Sequence, residues 1–121
     1  MKIDLNREIA LVTGGSRGIG RASCLALAKA GAFVAVNYNN SVEEAKKTVS
    51  EIESFGGKSA IFKADVSSEE EVSNMFKEIK DQFGTIDILV NNGGVIADSL
   101  LISMTSKAWD KVIDINLGGV Y

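Results

Sequence analysis

The chain has 121 residues, 45% hydrophobic and 24% charged, a balance that suits one folded unit and excludes a disordered composition. Its 13 basic and 16 acidic residues leave a formal charge of -3, which argues against a nucleic acid or an anionic membrane surface as partner. One cysteine excludes an internal disulfide, and the absence of histidine excludes a histidine base and every His-containing metal site.

No apolar stretch approaches the length of a membrane span and residues 1–5 form no signal segment, so a cytoplasmic location is expected. The first predicted element is a buried strand over residues 9–12, entering the turn at Thr13 and Gly14. A helix follows from about Gly18, with Ile19, Ala22, Leu25, Ala26 and Ala30 as its apolar positions and Gly31 as its stop. Residues 33–36 read as a second strand. Ser41 with Glu44 has capping-box spacing, and Val42, Ala45, Val49 and Ile52 then recur at helical intervals.

The cycle repeats. A third strand is expected over residues 59–64, after the turn at Gly56 and Gly57. Ser67 with Glu70 has capping-box spacing, and Val72, Met75, Phe76, Ile79 and Phe83 mark one face of a third helix closed by Gly84. Residues 86–90 read as a fourth strand, with Asp87 interrupting its first half. After an irregular stretch, Trp109, Val112 and Ile113 indicate another helix. Alternating strands and helices imply parallel crossover units, hence an α/β fold with a doubly wound parallel sheet. With four strands in the order 3-2-1-4, the fourth would be an uncovered edge.

The turn Thr13-Gly14-Gly15-Ser16-Arg17-Gly18-Ile19-Gly20 joins the first strand to the first helix. That context favours a dinucleotide pyrophosphate: glycines let the phosphate reach the backbone, and the helix start supplies free amides and a favourable dipole. Ser16 can add a hydroxyl donor. The same glycines would also serve a tight turn of no further function. The spacing does not fit a nucleoside-triphosphate loop, because no Gly-Lys-Ser/Thr follows. After the second strand, Asn37, Tyr38, Asn39, Asn40 and Ser41 place no carboxylate where a ribose 2′-hydroxyl would be bound, so a 2′-phosphate there would meet amides, Asn37 among them, and a hydroxyl. With Arg17 as a positive fork, this favours NADP(H), with NAD(H) as the alternative. Cys24, in an apolar helix, is expected to be packed.

The sequence resembles the short-chain dehydrogenase/reductase family, especially its 3-oxoacyl-[acyl-carrier-protein] reductases. The resemblance rests on the glycine turn, Asp65-Val66, the segment from Asp87 to Gly94 containing Asn91-Asn92-Gly93-Gly94, and Trp109 with Asn116-Leu117. It covers essentially the whole chain, read as the N-terminal part of one Rossmann-type NAD(P)-binding domain over residues 1–121. It implies that Gly14, Gly18, Ile19 and Gly20 surround the dinucleotide phosphates and that Asp65 accepts from the adenine amino group beside the Val66 backbone; the alternative role of Asp65 is to cap the following turn beside Ser67. Asn91 and Gly93 would border the ribose and nicotinamide side, where the family usually has alanine in place of Gly93. Asn116 would help hold a water of the proton relay.

Such enzymes also use a serine and a Tyr-x-x-x-Lys pair. Tyr38 would sit by the adenosine end, out of reach of a hydride-acceptor carbonyl, and Tyr121 is only five residues past Asn116, so neither matches that tyrosine. The chain is therefore read as a fragment confined to cofactor binding. Its intact parent would be a homodimeric or homotetrameric reductase of a carbonyl linked to acyl carrier protein. A different carbonyl or alcohol substrate, a non-catalytic dinucleotide-binding or interaction module, and a flavodoxin-like or methyltransferase domain are the competing readings.

Overall fold

In the computed structural model, residues 4–15, 18–92 and 113–116 are described, the last four as backbone only. The elements run β1 (Ile9–Thr13), α1 (Gly18–Lys29), β2 (Phe33–Tyr38), α2 (Val42–Ser54), β3 (Lys58–Lys63), α3 (Glu69–Phe83), β4 (Ile88–Asn91) and β5 (Ile113–Asn116). They form one parallel sheet in the order β3-β2-β1-β4-β5. This is a three-layer, Rossmann-type α/β arrangement.

Alternation along the strands divides the core. Leu11, Ala35 and Leu89 pack with Val72, Met75, Phe76 and Ile79 of α3. Their neighbours Ala10, Val12, Val34, Val36, Ile88 and Val90 pack on the other face with Cys24 and Ala28 of α1 and Ala45 and Ile52 of α2. Both faces are covered, so the central strands are apolar on both sides and must be parallel crossovers rather than a half-wet meander. Fully burying each large aliphatic side chain here contributes about 1.5–3 kcal/mol.

Several expectations are corrected. Ile113 opens a strand instead of continuing a helix; Trp109 and Val112 lie outside the described residues. β5 pairs with β4 from Ile88↔Ile113 to Asn91↔Asn116, so the outer edge of β4 is covered. The β-branched Ile113 and Ile115 suit strand geometry, and main-chain pairing with an open edge outweighs the helical spacing. The other edge, β3, carries a lysine at each end.

The buried stripe of α1 is Gly20, Cys24 and Ala28, whereas Ile19, Ala22 and Ala26 face outward. The small i, i+4 residues let the helix lie against the sheet. α3 is capped one residue later than expected: Ser68 Oγ accepts the Glu71 N–H at 3.3 Å, and Glu71 Oε1 accepts the Asp65 N–H at 3.0 Å. Gly84 ends this helix in the left-handed region, its N–H bonded to the Lys80 carbonyl. Ser41 occupies the N-cap of α2, but its side chain makes no capping bond. The expected partner, Glu44, binds Arg21 of α1 at 2.9 Å instead. β4 begins two residues later than expected because Asp87 accepts the Ile9 N–H at 2.8 Å through its side chain, tying the two strands below the ladder.

Candidate dinucleotide site

All five strands are parallel, so their carboxyl ends lie on one edge of the sheet, where crossover folds bind ligands. The β1–α1 turn sits there. Gly18 opens α1 with φ +64°, and a side chain there would meet open space; the backbone geometry is what selects glycine. Gly20 has the opposite constraint. A Cβ on it would overlap the carbonyl oxygen of Gly14 and approach Asn92 Nδ2 to 2.8 Å. The absence of side chains therefore folds the turn tightly against the first coil of α1, whose leading N–H groups have no intrahelical acceptor. That pairing of a bare turn with free amides fits a phosphate.

Three strands support the turn. From β2, Asn37 Oδ1 accepts the Gly14 N–H at 3.1 Å, and the Asn37 carbonyl accepts the Gly15 N–H at 3.1 Å. From the end of β4, Asn92 Nδ2 donates to the Gly14 carbonyl at 3.4 Å. Thr13, at the end of β1, donates to Asn91 Oδ1 at 3.1 Å and accepts the Asn92 N–H at 2.9 Å. From behind, Thr48 of α2 donates to the Gly15 carbonyl at 3.4 Å and accepts from Arg21 Nε at 3.0 Å. Buried Cys24 lies 3.8 Å from the same carbonyl. Burial pushes the Cys24 thiol up to about 12, so it is packed and protonated.

Gly14, Gly18, Ile19 and Gly20 lie on the turn and the first coil of α1, and Asn91, at the end of β4, meets Thr13 just before the turn. Ile19 is 63% exposed beside the helix start, an apolar surface available to a ligand. Asn91 is buried, and its amide oxygen is engaged by Thr13. Asp65 and Val66 follow β3 at the same sheet edge. Asp65 Oδ1 accepts both the N–H (2.9 Å) and the hydroxyl (2.6 Å) of Ser67, and these bonds hold its carboxyl below the usual range. Asn116 is in register with Asn91 across β4 and β5. Ser16, Arg17 and Gly93 lie outside the described residues.

Asn37, expected beside the ribose, is 2% exposed, and its Nδ2 donates inward to the Phe62 and Ala64 carbonyls, so its side chain serves the strands. The signal was present in the sequence as a primary amide inside an apolar strand, since a buried amide demands partners. Sequence spacing carries no signal for the supporting roles of Thr13, Thr48 and Arg21, whereas a structural role for Asn92 fits an amide in the loop after β4.

A hollow of about 460 Å³ bordered by Arg7, Ala28, Phe33 and Lys58 lies at the opposite, amino end of the strands. It contains none of the site residues. Among the described residues there is no group of three metal-ligating side chains, and no helix is long and apolar enough to cross a membrane.

A family model for short chain dehydrogenase matches residues 8–121. A 3-oxoacyl-[acyl-carrier-protein] reductase, FabG, of Staphylococcus aureus is 51% identical over 112 residues, which are 93% of this chain and 46% of that protein. The chain thus spans about half the length of the curated relatives it matches. A dehydrogenase/reductase from Sinorhizobium meliloti 1021 superposes with a TM-score of 0.84 at 33% identity, over 93% of this chain and 55% of its own. The angucycline C-6 ketoreductase LanV with bound NADP gives 0.69 at 40% identity, over 77% of this chain and 38% of its own.

Proposed function

The chain belongs to the short chain dehydrogenase family, and we propose that it is the N-terminal, cofactor-holding part of a Rossmann-type domain in an NADPH-dependent reductase. The observation that carries this reading is the bare Gly14–Gly20 turn, clamped by Asn37 and Asn92, against the exposed start of α1. Its support includes the NADP held by the related LanV ketoreductase.

In this reading the amides from Ser16 through Gly20 receive the phosphates, with the Ser16 hydroxyl as a further donor. Gly14 shapes the turn, while Ile19 shields one side. Arg17 faces the 2′-phosphate, and exposed Asn39 and Asn40 add no like charge. NAD(H) is the weaker ligand. Asp65 and Val66 receive the adenine, and Asn91 and Gly93 border the ribose and nicotinamide side. NADPH supplies the hydride. Asn116 belongs to the proton-relay side but cannot itself replace a tyrosine acid.

The parent reaction is reduction of a 3-oxoacyl group on acyl carrier protein to the 3-hydroxyacyl form, by a cytoplasmic homodimer or homotetramer. Its likeness to the Staphylococcus aureus reductase supports this substrate class. NADPH oxidation with a 3-oxoacyl thioester tests the reading, using the 121-residue chain beside a form extended through a serine and Tyr-x-x-x-Lys segment. The extended form turns over and the shorter one does not. Robust turnover by the folded 121-residue chain contradicts the division of labour, and an inactive extended form that binds NADPH contradicts the substrate.

A further inference from the structure

We propose that Asn37 is the positioning residue of the glycine turn: its side-chain amide fixes the Gly14 peptide to the end of β3. A primary amide has one acceptor oxygen and two donor hydrogens, and burial requires that they be satisfied. Asn37 Oδ1 takes the Gly14 N–H at 3.1 Å. Its Nδ2 donates to the carbonyls of Phe62 at 3.2 Å and Ala64 at 3.1 Å. The Asn37 main-chain carbonyl holds the next turn amide, Gly15 N–H, at 3.1 Å. One residue therefore turns two consecutive peptide N–H groups inward and hangs them on β2 and β3.

Two consequences follow. The Gly14 and Gly15 amides are occupied within the protein, which assigns the anion-facing donors to the residues after Gly15 and to the first turn of α1. In addition, position 37 accepts a neutral amide and rejects a carboxylate. An aspartate could receive the Gly14 N–H, but its second oxygen would face two backbone carbonyl oxygens. A carboxylate selecting a ribose 2′-hydroxyl is therefore excluded at 37 and would have to stand at an exposed position such as Asn39.

The binding arm of the test rests on the dinucleotide reading above; the exchange arm does not. Amide hydrogen exchange and NADP+ calorimetry are measured on the 121-residue chain, Asn37→Leu and Asn37→Asp. In the unsubstituted chain the Gly14 amide is protected. In Asn37→Leu its exchange accelerates relative to the Leu11 amide of β1, and NADP+ binding weakens about tenfold, the scale of losing one buried hydrogen bond. Asn37→Asp weakens binding as well, although it keeps the acceptor oxygen.

Unprotected Gly14 in the unsubstituted chain overturns the inference without any variant. So does unchanged NADP+ affinity in folded Asn37→Leu or Asn37→Asp. A chain that binds no NADP+, but whose Gly14 protection is lost in Asn37→Leu, refutes the dinucleotide reading and leaves the Asn37–Gly14 contact established.

Discussion

Gly20 lies so close to Gly14 that a single methyl group on Gly20 would overlap the Gly14 carbonyl oxygen. The obstruction is backbone, with Asn92 Nδ2 also at 2.8 Å, so no side-chain rotation relieves it. Gly20→Ala is expected to destabilise the fold by about 1–3 kcal/mol, as overpacking does, and to open the turn. Thermal unfolding checks this, and an unchanged Tm would contradict the close approach.

Cys24 links the packing of α1 to alkaline stability. Desolvation raises its folded pKa to about 12 from an ordinary value of 9.0. Above pH 9 the unfolded thiol loses its proton while the folded one keeps it, so the unfolded state binds fewer protons and stability falls as pH rises toward 12. Below pH 9 this contribution is fully present. Cys24→Ala should show a shallower alkaline loss of stability in denaturant titrations at pH 8 to 11, and the native thiol should resist alkylation at pH 8. Rapid alkylation of folded protein would contradict the burial.

Asp65 titrates in the opposite sense. Its hydrogen bonds from the Ser67 hydroxyl and N–H favour the carboxylate and lower the folded pKa. Its contribution to stability is present above the ordinary carboxylate range and is lost as pH falls through the lowered folded value. Ser67→Ala removes the larger cause, so the Asp65 pKa should move up toward ordinary. Carbon-detected NMR titration of the side chain reads this directly; an unmoved titration curve would refute the assigned cause.

Much of this architecture is legible in the residues. The apolar runs around Leu11, Val34 and Leu89 read as buried strands because both faces of the sheet are covered. Gly31 and Gly84 mark helix ends through their backbone freedom. Other features depend on contacts that sequence spacing does not encode. The outward-facing Ala22 and Ala26 are as apolar as buried Ala28, so composition does not mark which face of α1 meets the sheet. Ser67 and Ser68 each stand three residues before a glutamate, and only the turn held by Asp65 selects Ser68. Ile113 matches helical spacing with Trp109, yet its place beside Ile88 is decided by the available edge of β4. The direction of the Asn37 amide depends on the carbonyls of Phe62 and Ala64, 25 and 27 residues further along the chain, which local spacing does not encode.

If the glycine turn holds NADP(H) and Arg17 sets the preference, calorimetric titration of the 121-residue chain and its Arg17→Ala variant with NADP+ and NAD+ will show it, with folding checked by circular dichroism. The unsubstituted chain should bind NADP+ more tightly. The variant should lose about 1–3 kcal/mol for NADP+, the range for a charge-assisted hydrogen bond, and much less for NAD+. Equal losses for the two dinucleotides, or a folded chain that binds neither, would contradict it.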